Sequence, residues 1–137
     1  MSLYTDIRGA LQVQLGAVSG IPTIHYETVP DKPTLGTPFV VCSVVPNASR
    51  RSTLGKSPNI LHEGTFEVEL FYPSGKGTAS IETMADTIKA SFTPDTSLSQ
   101  GDASLNLRYS ERGPILTDTD WIRLNTSISW YAYSKTN

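Results

Sequence analysis

The sequence contains a single cysteine, no long apolar run and almost no excess of charge of either sign. Because Cys42 stands alone, neither an internal disulfide nor a multi-cysteine zinc site can form within the chain. It lies in the apolar stretch PFVVCSVV, where a small buried thiol is expected. The apolar stretches are too short to cross a bilayer, and the first residues lack a basic leader. We therefore expect a cytoplasmic protein that is neither secreted nor inserted in a membrane.

Length and charge narrow the classes of function further. The 137 residues suffice for one continuous core, so we expect a single domain over residues 1–137. The formal net charge of −2 offers no strong positive field to hold a nucleic-acid backbone or an anionic membrane. The composition thus disfavours sequence-specific nucleic-acid binding and membrane binding.

Apolar periodicity predicts two amphipathic helices. The first follows an N-cap at Ser2 and ends near Gly16, and the second ends before Pro94. Their apolar stripes are Leu3, Ile7, Ala10, Leu11 and Leu15 in the first helix, and Ile81, Met84, Ala85, Ile88 and Phe92 in the second. Each stripe must pack against another layer of structure.

Five stretches have the composition or the alternation of strands. They are TIHYETV, PFVVCSVVP, ILHEGTFEVELFY, ASLNLRYS and DWIRLNTSISWYAY. The second is almost continuously apolar, which predicts a central strand that is buried, or nearly so, on both faces. Residues 47–59 and the stretch TPDTSLSQGD are predicted to be loops. The order of elements predicts an α+β fold, a mainly antiparallel β-sheet with two helices packed on one face.

The stretch FYPSGKGTAS raises the question of a phosphate-binding loop. With Gly75 and Lys76 as the Gly-Lys pair, such a loop needs a glycine at Leu70 and a hydroxyl at Gly77, and both requirements fail. The stretch is instead typical of a turn that leads into a helix capped by Thr78 or Ser80. A weaker anion site at the helix N-terminus, assisted by Lys76, remains open.

Other combinations with catalytic or metal-binding chemistry are sparse. His25 and His62 lack the spacing that places two ligands on one metal, and apolar neighbours disfavour Cys42 as a nucleophile. Asp118 and Asp120 alternate before the last strand, where two carboxylates can recruit a hard cation or simply occupy a solvated hairpin. We therefore predict no catalytic residue, no cofactor and no metal ligand.

The strongest candidates for contact with partners are charged or aromatic. Arg50, Arg51 and Lys56 form the sharpest charge cluster, opposite in sign to the Glu67 and Glu69 surface, so this segment could dock on an acidic partner or a neighbouring copy. The last strand presents further candidates on its second face, away from the predicted core: Trp121, Tyr131 and Tyr133.

The stretch GTFEVELFYPSGKGTASIETMADTIKASF, followed by DWIRLNTSISWYAY, resembles the tail terminator-like proteins of long-tailed bacteriophages and prophages. The resemblance rests on a strand with an aromatic end, a glycine-containing turn, and a helix with a small-residue stripe and a late phenylalanine. A final strand ending in Trp130, Tyr131 and Tyr133 completes it. The resemblance in sequence pattern covers most of the second half of the chain. In the first half, only the order of helices, strands and loops is similar.

This resemblance implies a non-enzymatic virion protein, made in the host cytoplasm, that assembles as a homo-oligomeric ring, commonly a hexamer. The ring would cap the tail tube, stop polymerisation of the major tail tube protein and join the tail to a head-completion or neck protein. Two alternatives stay open: another ring-forming neck, head-completion or minor tail protein, and a small anion-binding or hydrolytic domain that uses Lys76 and the helix N-terminus.

Overall fold

The computed structural model describes residues 3–26, 36–51, 59–75, 77–94, 97–100 and 103–135. Within them the chain forms two helices and six strands. In chain order these are α1 (Leu3–Gly16), β1 (Thr23–Tyr26), β2 (Phe39–Arg51), β3 (Asn59–Pro73), α2 (Ala79–Ser91), β4 (Ser97–Gln100), β5 (Ala103–Thr117) and β6 (Trp121–Lys135). The predicted α+β class is confirmed.

The strands form one sheet in the order β1-β2-β3-β6-β5-β4. Only the β1–β2 pair is parallel, and the other four pairs of described strands are antiparallel. β3 and β6 lie at the centre and pair over their whole length, from Asn59 with Lys135 to Pro73 with Trp121. The short strands β1 and β4 lie at diagonally opposite corners, because β1 pairs with the first residues of β2 and β4 with the first residues of β5.

Both helices pack on one face of the sheet, which we call the inner face. Apolar residues that recur every three or four positions form the buried side of each helix, as predicted. The helical contribution to the core is Ile7, Ala10, Leu11 and Leu15 from α1, and Ile81, Met84, Ala85 and Ile88 from α2, followed by Phe92. Alternate residues of the strands complete the core, among them Val40, Phe66, Leu70, Leu124 and Trp130.

The opposite face, which we call the outer face, carries the other half of each alternation. Its residues on the central strands are half-buried, and neither described helix lies over it: Glu63, Thr65, Glu67, Glu69 and Phe71 on β3, and Trp121, Arg123, Asn125, Ser127, Ser129 and Tyr131 on β6. The predicted division of β3 and β6 into two faces is therefore confirmed.

Three predictions about strands are wrong. β2 is neither central nor buried on both faces: Val45 is 43% exposed, because the helices cover only one face. The expected loop 47–59 is partly strand, since β2 continues to Arg51 and β3 begins at Asn59, while residues 52–58 lie outside the described residues. The expected loop TPDTSLSQGD contains β4, whose backbone pairs with β5 despite its polar composition.

Candidate interaction surface

The cationic and tyrosine candidates lie near one end of the sheet. Arg50 and Arg51 are the last two residues of β2. Arg50 is aligned with Leu61 of β3, and Leu61 is aligned with Tyr133 of β6. Arg50 on β2 and Tyr133 on β6 therefore occupy the two positions that flank Leu61 on β3. Lys56 falls outside the described residues.

Trp121 lies at the opposite end of the same outer face. It is the first residue of β6 and is aligned with Pro73, whereas Tyr131 is aligned with Glu63. Ten residues of extended strand separate Trp121 from Tyr131, which corresponds to about 33 Å. The candidate residues thus form two separate surfaces.

The first surface, the aromatic end, consists of the half-buried Trp121, Phe71 and His25, which pack around the buried Phe39. The rings of Phe39 and Phe71 stack with centroids 4.5 Å apart and planes inclined by 4°. Trp121 meets Phe39 edge-on at 5.1 Å and 87°, and His25 contacts the same phenylalanine at 5.1 Å. The parallel stack and the edge-on contact are favoured arrangements for aromatic pairs. Trp121 therefore lies in a cluster of packed aromatic rings.

The second surface, the polar end, consists of Tyr131, Arg108 and Glu63. Arg108 donates a hydrogen bond from its NH1 nitrogen to Oε2 of Glu63 over 2.7 Å. The same guanidinium lies over the ring of Tyr131, 4.7 Å from the ring centroid. Arg108 occupies a bulge between Leu107 and Tyr109, and bulges commonly redirect a side chain. The bulged strand thus connects all three side chains.

Between the two ends, polar groups on the outer face are tied to one another. Oε2 of Glu67 accepts hydrogen bonds from Nδ2 of Asn125 at 2.7 Å and from Oγ of Ser127 at 2.8 Å. These bonds cross from β3 to β6 and hold the carboxylate in one orientation. The predicted acidic surface at Glu67 is therefore an ordered feature of the sheet.

Asp118 and Asp120 lie in the exposed hairpin between β5 and β6. Asp118 forms an ion pair with Nε of Arg123 at 3.3 Å, and the carbonyl of Asp120 accepts a hydrogen bond from the backbone of Ser74 at 3.0 Å. Across the part of the chain that the structure describes, no three His, Cys, Asp or Glu side chains cluster as metal ligands would. The pair thus lies in a hairpin tied to the turn after β3.

That turn contains the glycines of FYPSGKGTAS. Gly75 and Gly77 have φ angles of 85° and 80°, in the left-handed region that glycine tolerates best. Thr78 occupies the N-cap of α2, but its side chain makes no capping hydrogen bond, contrary to expectation. Lys76 lies outside the described residues. A small open cleft beside the turn is lined by Gly36, Pro38, Tyr72, Pro73, Gly77 and Ser80.

Cys42 and His62 do not form a nucleophile–base pair. Burial raises the pKa of the Cys42 thiol to about 11, with partial opposition from Arg8, and burial lowers the pKa of His62. Cys42 is aligned with Val68, six positions from His62 along β3, which corresponds to about 20 Å. Little of the Cys42 thiol is therefore ionised, and His62 is too far away to act as its base.

Neither of the two described helices has the length and apolar character needed to span a membrane.

Sequence reasoning missed Phe39 and Arg108 as parts of these surfaces. The alternation that places Phe71 on the outer face could have placed Phe39 there too, once β2 is aligned with β3. Arg108 carries no such signal, since its position depends on a bulge that the sequence pattern does not reveal.

The chain matches a family of known proteins and several solved structures, two of which are described below. The sequence model of the family "Phage tail terminator protein" matches residues 6–130. One solved structure, which bears no functional name, superposes with a TM-score of 0.74 at 21% identity and covers 98% of this chain and 96% of that chain. A chain from the virion of a native gene transfer agent particle superposes with a TM-score of 0.66 at 15% identity, covering 97% and 98%. No curated protein sequence matches.

The two solved structures share the fold, and the family match extends from α1 to near the end of β6, which confirms the resemblance seen in the sequence. The chain therefore belongs to the phage tail terminator protein family, a family of structural proteins of the phage virion.

Proposed function

We propose that this chain caps the end of a phage tail tube, stops polymerisation of the major tail tube protein and joins the tail to a head-completion or neck protein. The observation that carries this proposal is the family match over residues 6–130. The similar fold of a chain in a gene transfer agent virion agrees with a place in a virion.

We further propose that the chain acts as a homo-oligomeric ring, with six copies expected. A subunit within a ring and between two partners needs several different contact surfaces. The aromatic end and the polar end supply two surfaces of different chemistry, about 33 Å apart on the outer face. A structural role also agrees with the separation of Cys42 from His62, described above.

The two ends suit different kinds of contact. The aromatic end presents packed aromatic rings, a residue type that is enriched at the centres of interfaces. The polar end, with Arg50 and Arg51 nearby in the sheet and Lys56 in the segment that follows, suits a contact guided by charge. We assign Trp121 to the first kind of contact, and Arg50, Arg51, Lys56, Tyr131 and Tyr133 to the second.

The test is a tube-polymerisation reaction with purified major tail tube protein. Adding the chain should shorten the tubes in electron micrographs and leave a ring at one end of each tube, and native mass spectrometry should detect a hexamer. An unrelated protein of equal size and net charge serves as the control. Unchanged tube lengths, together with binding to a head-completion protein instead, would favour the alternative of a neck component.

A further inference from the structure

Two stretches of the sheet edge have no strand partner within the described residues. β1 covers only Phe39–Cys42 of β2, which leaves residues 43–51 open on the side away from β3. β4 covers only residues 103–106 at the start of β5, which leaves residues 107–117 open on the side away from β6. Open strand edges present backbone groups that pair readily with another strand.

Exposed apolar side chains concentrate on these two stretches. Of the four large apolar residues exposed in the described part of the chain, Val45 lies on the open part of β2, and Tyr109 and Leu116 lie on the open part of β5. Their exposed fractions are 43%, 52% and 47%. The register places all three on the outer face, aligned with Thr65, Ser129 and Arg123. Such a concentration is typical of a contact surface.

The two edges also match in direction. β2 is antiparallel to β3, β3 to β6 and β6 to β5, so β2 and β5 run antiparallel within one subunit. A second copy in the same orientation, placed beside the first, brings its β5 antiparallel to β2 of the first copy. The contact joins two different surfaces and repeats from copy to copy, as ring closure requires.

We propose that the open edge of β2 binds the open edge of β5 of a second copy of this chain, with Val45 beside Leu116 and Arg50 beside Glu111 of that copy. This contact deepens the ring proposed above, and it rests on that proposal for the number of copies.

Ladder positions and bulges support this register. The step from Val45 to Arg50 on β2 corresponds to four positions on its neighbour β3, from Thr65 to Leu61. The step from Leu116 back to Glu111 on β5 also corresponds to four positions on its neighbour β6, from Arg123 to Ser127. Within these four positions each strand has one irregularity, between Pro46 and Ala48 in β2 and between Arg112 and Ile115 in β5.

The matching irregularities explain how these edges can be selective. Bulges and prolines protect a strand edge against indiscriminate pairing, and each open stretch carries both, with Pro46 in β2 and Pro114 in β5. A regular strand without a bulge would lose its register with either edge at the irregularity. In the proposed register the two irregular regions lie opposite each other, so each edge accommodates the other.

The pairing also joins residues of compatible chemistry. Val45 and Leu116 are both apolar and exposed. Four positions further along, the cationic residue Arg50 lies beside Glu111, which is exposed. Four is an even number of positions, so both pairs fall on the same face of the extended sheet. The short strands do not obstruct the contact, because β1 ends at position 42 of β2 and β4 ends at position 106 of β5.

A cysteine cross-link tests the register directly. In a Cys42→Ala background, Val45→Cys combined with Leu116→Cys should form disulfides between copies, since opposed residues in antiparallel strands have Cα atoms about 4.5–5.5 Å apart. The matched control combines Val45→Cys with Thr117→Cys, one residue further along, at a position aligned with inner-face Ile122. On non-reducing gels of assembled protein, we expect the Val45→Cys, Leu116→Cys variant to give at least about tenfold more disulfide-linked subunits than the control.

The outcomes separate this contact from the proposed function. Rings in which positions 45 and 116 show no preferential linking would overturn the contact and leave the capping role standing. Linked rings that leave tube length unchanged would support the contact and contradict the capping role. If neither rings nor links form, even on isolated tail tubes, both proposals fail.

A charge swap provides an independent test. Arg50→Glu and Glu111→Arg should each lower the fraction of ring at least about tenfold in low salt, while the double variant restores it. Unchanged melting temperatures would show that folding is intact. A double variant that assembles no better than the single variants would overturn the Arg50–Glu111 pair.

Discussion

The indole of Trp130 on β6 lies over the α-carbon of Gly64 on β3, where a side chain at position 64 would otherwise stand. The two residues are directly aligned in the central strand pair. Trp130 is 1% exposed and belongs to the core. Gly64 thus leaves room for Trp130, the largest fully buried side chain of the described residues. The indole in turn covers the backbone of Gly64, which has no side chain of its own to shield it.

Gly64→Ala should therefore lower the free energy of unfolding by about 1–3 kcal/mol, the usual cost of overpacking. The added Cβ would lie 2.6 Å from the carbonyl oxygen of Val45 and closer still to the indole, so the backbone itself must shift. Urea denaturation should show a lower midpoint at unchanged slope.

Gly16→Ala is the matched control, because nothing lies within 4 Å of an added Cβ there. It should be neutral or slightly stabilising. Equal effects at positions 16 and 64 would contradict the role assigned to Trp130.

Thr126→Val should raise the free energy of unfolding by about 1 kcal/mol. Thr126 is fully buried on the inner face, and its hydroxyl finds no hydrogen-bond partner in the described part of the chain. Valine has nearly the same shape without the desolvated hydroxyl. Thermal melting measures the effect as a higher Tm.

The neighbouring variant Ser127→Ala should act in the opposite direction. Its hydroxyl faces the other side of the sheet and donates to Glu67 over 2.8 Å, so its removal loses a hydrogen bond to a carboxylate. A Thr126→Val variant with a lower Tm than the parent would indicate that the hydroxyl is satisfied.

The inner and outer faces of the central strands could be predicted from sequence because their side chains alternate strictly. Phe66, Val68 and Leu70 alternate with Glu67 and Glu69, and only one register buries the apolar set. The two helices were predictable for the same reason, since their apolar stripes recur at helical spacing. Periodic burial is thus a local property of the sequence.

The edges of the sheet and the candidate site could not be predicted in this way. β4 is polar and becomes a strand only because β5 offers backbone partners. The Arg108 bulge and the stacking of Phe39 on Phe71 depend on which strands are neighbours, and a single sequence does not specify that. Contacts between distant segments therefore came only from the structure.

Cys42 should react slowly with iodoacetamide in the native protein. A rise in pKa from 9.0 to about 11 leaves about one hundredth as much thiolate below pH 9, and burial further restricts access. The raised pKa also means that the thiol's contribution to stability is complete below pH 9 and is lost as pH rises towards 11. Alkylation rates at pH 8, followed by mass spectrometry, measure the first effect.

The control moves the thiol by one residue, in a Cys42→Ala, Ser43→Cys variant. Ser43 is half-buried on the outer face, so the new thiol should react much faster than Cys42. Equal rates for the two proteins would show that the inner face opens readily in the native state.

Replacing Arg50, Arg51 and Lys56 together with serine should leave the fold intact but impair assembly. Charged side chains in a polar segment of sequence usually contribute little to stability, so the melting temperature should change little. Loss of charge at the rim of an interface mainly slows association and alters its salt dependence, so few infectious particles should form in a complementation assay. Tails should be irregular in length or unjoined to heads.

The control replaces Lys32, Lys76 and Lys89 with serine. Both triple variants remove three positive charges and so change the formal net charge from −2 to −5. Normal titres and tail lengths for the first variant would assign the partner contact to the aromatic end at Trp121 instead.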